Sequence, residues 1–254
     1  MMYIETIQTI NLLKFKPEGE LKKAKYKKIE VFNGDWKDIT LPTPDKNDSK
    51  QTRMELEEIK KMRDSMTKEH ELEYINTDEN PYFYIQEYME ENELEYDEER
   101  MVYLGEQARP IIRHYKNMFN RPRPYQLADA LNIPFDRYKT ETSNTPSYPS
   151  GHTTQPKLVA NYYATIYPEH KDGLFEGAIK SAMGRVRMGV HFPSDIEAGH
   201  DLANKLMKYL KFDMMEDAPV NATGSAVAGT GSDVATWRPK KRKKSLYDVF
   251  RRNI

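Results

Sequence analysis

No cysteine occurs among the 254 residues, so the chain has neither a disulfide framework nor a thiolate metal site. Long apolar runs are missing as well. A membrane-crossing helix needs about 20 predominantly apolar residues, and the longest candidate, Leu158 to Tyr167, is short and carries Asn161 and Thr165. The N-terminus has an early Glu5 and no basic start ahead of an apolar block, so it does not read as a secretory signal. Strand patterns are scarce from Gln51 onward, and no internal repeat is evident. These absences point to a cytoplasmic, predominantly helical chain without a transmembrane segment.

An overall surplus of charge is also lacking, with a formal net charge of -1. That average hides a strong polarity. From Glu71 to Arg100, twelve Asp and Glu residues stand against Arg100 alone; from Thr236 to Ile254, eight Lys and Arg residues stand against Asp248 alone. The chain divides by composition into an N-terminal extension (1–50), a helical domain (51–212), a flexible linker (213–235) and a basic tail (236–254). In the extension, Lys28-Ile-Glu-Val-Phe32 alternates as a strand would, and Asn33-Gly34 suggests a turn into Trp36–Leu41, a possible β-hairpin.

From Gln51 apolar residues recur at helical spacing. Helices are expected to about Thr67, over 80–92, over Met101–Phe119 with Pro110 inside, over 157–166 and over 174–186. A last one starts near Ser194, where Ser194-Asp-Ile-Glu197 has the form of a capping box, and runs to about Leu210. Asn120-Arg-Pro-Arg-Pro124 ends the third, because proline lacks the amide donor and clashes with the preceding turn. The class is all-α, a helical bundle. The acidic stretch 71–100 reads as an amphipathic helix on the bundle surface, with a lid as the alternative.

What is present in abundance is chemistry. Lys116-Asn-Met-Phe-Asn-Arg-Pro-Arg123-Pro124, Pro149-Ser150-Gly151-His152 and Gly184-Arg185-Val-Arg-Met-Gly-Val-His191-Phe-Pro-Ser-Asp195 follow one another. They supply cations, two histidines, a carboxylate and a Ser-Gly turn, the inventory for cleaving a phosphate ester through a phosphohistidine. His191 and Asp195, four residues apart at a helix start, can share a hydrogen bond through one ring nitrogen, leaving the other free for a substrate. Such pairs also simply stabilise helices. Gly151 admits close approach of backbone to a ligand, and Ser150 can cap a helix whose free N–H groups bind an anion. His152 then sits where it can hand a proton to a leaving oxygen, although an ordinary cap followed by a surface histidine has the same sequence. Lys116, Arg123 and Arg185 suit the charge on a phosphoryl group. Arg121 and Arg187 lie beside them, and spacing alone does not separate the two sets.

The ordered pattern Lys-x6-Arg-Pro, Pro-Ser-Gly-His and Arg-x5-His-x3-Asp resembles the signature of the type 2 phosphatidic acid phosphatase/vanadium haloperoxidase superfamily, which includes the soluble bacterial class A acid phosphatases. The resemblance implies an α-helical bundle. It also implies that Lys116, Arg123 and Arg185 bind phosphate with Ser150 and the Gly151 amide, that His152 is the general acid, and that His191 is the nucleophile oriented by Asp195. Two departures stand out. Gly184 occupies a position that is often serine in the family, and Pro156 follows His152 by four residues, where a kink or restart of the helix is expected. His70 and His170 read as surface residues, His114 as packing or pocket lining, and His200 as structurally partnered.

The activity implied is that of a metal-independent phosphatase on a small phosphorylated substrate, a soluble phosphomonoester. No cofactor is expected, and vanadate should inhibit. The alternatives are a vanadate-dependent haloperoxidase, with vanadate as cofactor, and a binding or assembly protein with a vestigial pocket. The second is motivated by the basic tail, which suits an acidic partner. Self-association into a homo-oligomer is a further expectation from soluble relatives.

Overall fold

The computed structural model describes residues 9–18, 28–138 and 140–216. Among these residues, nine α-helices follow one another from Lys50, and no strand forms. They are α1 (Lys50–Asp64), α2 (Lys68–Glu79), α3 (Phe83–Glu91), α4 (Glu98–Phe119), α5 (Pro124–Ala128), α6 (Gly151–Ile166), α7 (Lys171–Arg187), α8 (Pro193–Leu206) and α9 (Phe212–Glu216). The linker and basic tail read from composition lie outside the described residues, apart from 213–216.

Local signals start and stop these helices. Ser49 caps α1 by accepting the Thr52 amide at 3.0 Å, the ordinary use of a serine hydroxyl at that position. Thr67 and His70 cap α2 reciprocally: the threonine hydroxyl accepts the His70 amide, and His70 Nδ1 accepts the Thr67 amide. Asp97 caps α4, which continues through Pro110 and ends where Asn120 adopts the left-handed conformation (φ 48°). Asparagine tolerates that conformation better than most residues.

The central helix is α6. Its residues from Thr153 to Tyr163 are all buried, and it packs against α4, α7 and α8. Leu158 and Val159 meet Leu104, Ala108 and Ile111 of α4 and Leu202 and Leu206 of α8 in the main core. Fully burying such a side chain contributes roughly 1.5–3 kcal/mol. A second core joins Leu56 and Ile59 of α1 to Leu127, Val186, Phe192 and Ile196. Burial of Tyr74, Ile85 and Met89 ties the acidic stretch 71–100 into the cores as helices α2 and α3.

Three sequence expectations need correction. The hairpin does not form: residues 34–38 coil into a 3-10 helix, and Phe32 bridges to Leu210 instead. Trp36 and Ile39, three residues apart, both face the main core, which a helical turn allows and a strand does not. The Asn33 amide donates to Tyr209 and the Lys211 amide to Val31, so this edge pairs with the segment after α8. Pro156 causes no restart, since α6 runs unbroken from 151 to 166. Helix α8 starts at Pro193, close to the expected position, but the capping box read over Ser194–Glu197 does not form: Asp195 reaches back to accept the Phe192 amide at 2.9 Å, with proline preset for the first helical position.

Candidate active site

The three motifs sit at helix ends that backbone hydrogen bonds draw together. The Ser147 amide donates to the Arg121 carbonyl, the Ser150 amide to the Asp195 carbonyl, and the Val190 and His191 amides to the Arg185 carbonyl. Gly189, at φ +71° and under the Phe135 ring, turns the chain between Arg185 and His191. A β-carbon there would be strained and would collide with the ring. At Gly199 an added β-carbon would lie 2.8 Å from Thr153 Cβ and 2.9 Å from the Ser150 carbonyl oxygen. That glycine lets α8 approach the start of α6 closely.

His191 is buried, with Nδ1 3.1 Å from Asp195 Oδ2 and Nε2 2.9 Å from Arg123 Nη1. A carboxylate only accepts and a guanidinium only donates. The ring is therefore the neutral tautomer, with its proton on Nδ1 and its lone pair on Nε2. Burial, followed by the charge of Arg123, pushes the His191 pKa well below the usual histidine range, against the pull of Asp195. Burial alone would raise the Asp195 carboxyl, but Arg121 and the hydrogen bonds from His191 and Ser147 hold it well below the usual carboxylate range.

The expected cations are all buried. Lys116 Nζ donates to the Pro146 and Ser147 carbonyls at 2.5 and 3.1 Å. Arg123 donates to the Thr145 and Val190 carbonyls at 2.8 and 2.7 Å. Arg185 donates to Asp78 at 2.5 Å and to the Thr142 hydroxyl at 2.9 Å, and its Nε is buried without a partner among the described residues. Burial and then mutual repulsion lower two of them: Lys116 falls well below its usual value, with Arg123 the next cause, and Arg123 drops to about 10, with Arg185 the next cause. A cluster of like charges that depress one another is complementary to a polyanion.

His152 projects from the first turn of α6, its Nε2 3.4 Å from the Asp78 carbonyl oxygen. Burial and Arg185 push its pKa well below the usual range, and Asp78 opposes them. Ser150 is the N-cap residue of α6, yet its hydroxyl makes no cap bond and instead accepts the Thr153 hydroxyl at 2.9 Å. A β-carbon at Gly151 would meet only Ile112 Cγ2, in ordinary contact at 3.8 Å.

Residues 107–204 match the PAP2 superfamily, a span that holds all eight of these positions. Over that stretch the chain is similar to the PAP2 superfamily. An acid phosphatase of Zymomonas mobilis subsp. mobilis is 33% identical over 93 residues, 37% of this chain and 35% of that protein. A lipid A 1-phosphatase of Rhizobium etli is 31% identical over 84 residues, 33% and 36% of the respective chains. The match thus spans about a third of the length of these curated relatives. The crystal structure of the first transmembrane PAP2 type phosphatidylglycerolphosphate phosphatase from Bacillus subtilis has a TM-score of 0.41 at 18% identity, covering 67% of this chain and 87% of that one. Among the described residues, no helix is long and apolar enough to cross a membrane, and no group of three or more His, Asp or Glu side chains is gathered to hold a metal ion.

Sequence reasoning missed several residues around this candidate site. Asp78, from α2, pairs with Arg185 and accepts the Thr140 and Thr142 hydroxyls at 2.6 and 2.5 Å. Arg121, indistinguishable by spacing from a phosphate ligand, is buried and ion-paired to Asp195 and Glu55. Arg187 pairs with Glu73 towards the surface. His114 packs edge-on against Trp36 and Tyr115, and His170 hydrogen-bonds Tyr88. The partner expected for His200 is not there: its Nδ1 is buried with no hydrogen bond among the described residues, and burial with Lys157 lowers its pKa to about 4.

Proposed function

We propose that this protein is a metal-independent phosphatase that hydrolyses soluble phosphomonoesters through a phosphohistidine on His191. The observation that carries the reading is the orientation of one ring: Nδ1 of His191 is tied to Asp195 while its Nε2 lone pair meets Arg123. An unprotonated lone pair can attack phosphorus in line once its guanidinium donor passes to a phosphoryl oxygen.

In this mechanism Lys116, Arg123, Arg185, Ser150 and the Gly151 amide hold the phosphoryl oxygens. Arg123 passes its Nη1–H from Nε2 to a phosphoryl oxygen; the freed Nε2 lone pair forms a bond to phosphorus as the ester P–O bond breaks, and protonated His152 gives its proton to the departing alkoxide. A water then forms a new P–O bond, the P–N bond breaks, and neutral His152 takes the water's proton. Inorganic phosphate leaves, and both imidazoles return to their starting states. Asp195 stays ionised throughout, offsetting the positive charge that develops on His191.

A soluble alcohol as leaving group is supported by the polar surroundings of Arg185 and His152, where Asp78, Thr140 and Thr142 gather. Acyl chains would find little apolar surface among those side chains. Kinship with both an acid phosphatase and lipid A 1-phosphatases supports phosphate ester hydrolysis in general. The test is steady-state hydrolysis of an aryl phosphate by the wild type and by His191→Ala. Turnover should vanish in the variant, and undiminished turnover would overturn the assignment.

A further inference from the structure

Behind the proposed nucleophile the chain of buried charges extends beyond Asp195. Arg121 Nη1 lies 2.7 Å from Asp195 Oδ1 and 2.8 Å from Ser194 Oγ, and its Nη2 lies 3.2 Å from Glu55 Oε2. Glu55, buried on α1, accepts the Ser194 amide on Oε1 at 2.7 Å and the Ser194 hydroxyl on Oε2 at 3.0 Å. The Arg121 guanidinium stacks 3.9 Å from the centre of the Phe192 ring.

Stability alone does not call for two carboxylates and a guanidinium out of water, since apolar side chains of similar volume commonly serve as well or better. Geometry supplies another reason. Asp195 uses Oδ2 for His191, Phe192 and Ser147, and Oδ1 for Arg121. Its rotamer is therefore fixed from both sides, and so is the direction of the imidazole. Arg121 can hold Oδ1 only while its own fork is anchored. Glu55 provides that anchor, and it also grips Ser194, in the first turn of the helix that carries Asp195.

We propose that Glu55 is a positioning residue for His191, acting through Arg121 and Ser194 to fix Asp195 and so aim Nε2. This rests on the phosphatase reading for its kinetic consequence. Glu55 lies outside the segment that matches the PAP2 superfamily, so the site would depend on a helix contributed from elsewhere in the chain.

The experiment compares Glu55→Gln with wild type, with exposed Glu58→Gln on the same helix as control. Glutamine keeps an acceptor for the Ser194 amide but removes the charge that anchors Arg121. Its kcat on an aryl phosphate should fall roughly 10- to 100-fold, the cost of a small misplacement of a reacting group, with KM nearly unchanged. The downfield Nδ1 proton resonance of His191, assigned by its loss in His191→Ala, should broaden or move upfield. Arg121→Lys, which keeps one charge but cannot bridge two carboxylates, should behave the same way and serves if Glu55→Gln does not fold. Wild-type kcat and an unmoved resonance in a folded variant overturn the proposal, as does a loss confined to KM. The resonance needs no substrate. If His191→Ala kept its turnover, the phosphatase reading would fall while the resonance still judged Glu55.

Discussion

Asp195 Oδ2 sits 3.1 Å from His191 Nδ1, and the same oxygen accepts the Phe192 amide that opens α8. One carboxylate thus starts the helix and sets the tautomer of the ring four residues before it. Asp195→Asn should leave the fold largely intact, because an amide oxygen can still cap the helix. It cannot stabilise an imidazolium or fix the tautomer as a carboxylate does. Its kcat should fall roughly 10²- to 10⁴-fold, measured on an aryl phosphate, and a kcat within twofold of wild type would contradict the role.

His152 should reveal itself through the leaving group. A nitrophenolate departs without a proton, whereas an alkoxide does not. His152→Asn should therefore lose about 10²–10⁴-fold on an alkyl phosphate and much less on an aryl phosphate with an acidic phenol. Equal losses on both would show that His152 serves binding alone. The pKa shifts place the working window. The proposed mechanism needs His191 unprotonated and His152 protonated, and both pKa values are pushed below the ordinary 6.5, by burial first and by Arg123 and Arg185 respectively next. The kcat/KM profile of the wild type should peak on the acid side of 6.5.

In the proposed mechanism Asp78 brings negative charge to a site that must take an anion. Burial alone would raise its pKa, but Arg185 and the Thr140 and Thr142 hydroxyls keep it below the usual value and ionised. A phosphate or vanadate ion must approach Arg185 against that carboxylate. Asp78→Asn should tighten inhibition by orthovanadate about five- to tenfold, corresponding to roughly 1 kcal/mol of partly screened repulsion. It should also move the alkaline limb of the profile to lower pH, because Asp78 raises the His152 pKa. Weaker vanadate inhibition would instead assign Asp78 to holding Arg185 in place.

The sequence made the three motifs legible because their spacing is local: a residue four places from a histidine, or seven from a lysine, stays near it in any helix or turn. Arg121 was not separable from Arg123, since Arg-Pro-Arg-Pro offers two identical forks, and only the fold decides that one faces His191 and the other Glu55. Glu55 and Asp78 were hidden for another reason. They sit in helices dense with solvated acids, and nothing in their neighbours marks the one carboxylate in each helix that turns inwards. The hairpin failed where Asn33-Gly34, a good turn signal, was overridden by Trp36 and Ile39 seeking the same core.

Stability should carry the signature of three histidines with lowered pKa values, His152, His191 and His200. An unfolded chain binds a proton on each below about pH 6.5, while the folded chain, with lowered pKa values, does not until lower pH. The unfolded state then holds more protons, so unfolding free energy falls as pH drops through this window, by about 1.4 kcal/mol per pH unit for each histidine. Urea unfolding between pH 7 and pH 5 should show this slope, and His152→Gln should reduce it. A slope unchanged by that substitution would mean that His152 titrates alike in both states.

Gly199 links the two halves of the site most directly. It lies where α8 crosses the first turn of α6, with Thr153 and the Ser150 carbonyl occupying the space a side chain would need. Gly199→Ala gains helix propensity of about 1 kcal/mol, but overpacking of this kind costs about 1–3 kcal/mol, and neither backbone there can yield without moving its catalytic turn. The variant should be less stable by urea unfolding and lower in kcat, because α8 carries Asp195 while the displaced turn carries His152. Pairing it with Thr153→Ser, which removes the methyl group nearest the new β-carbon, should recover part of both losses. Recovery of stability without recovery of kcat would separate helix packing from alignment of the two histidines.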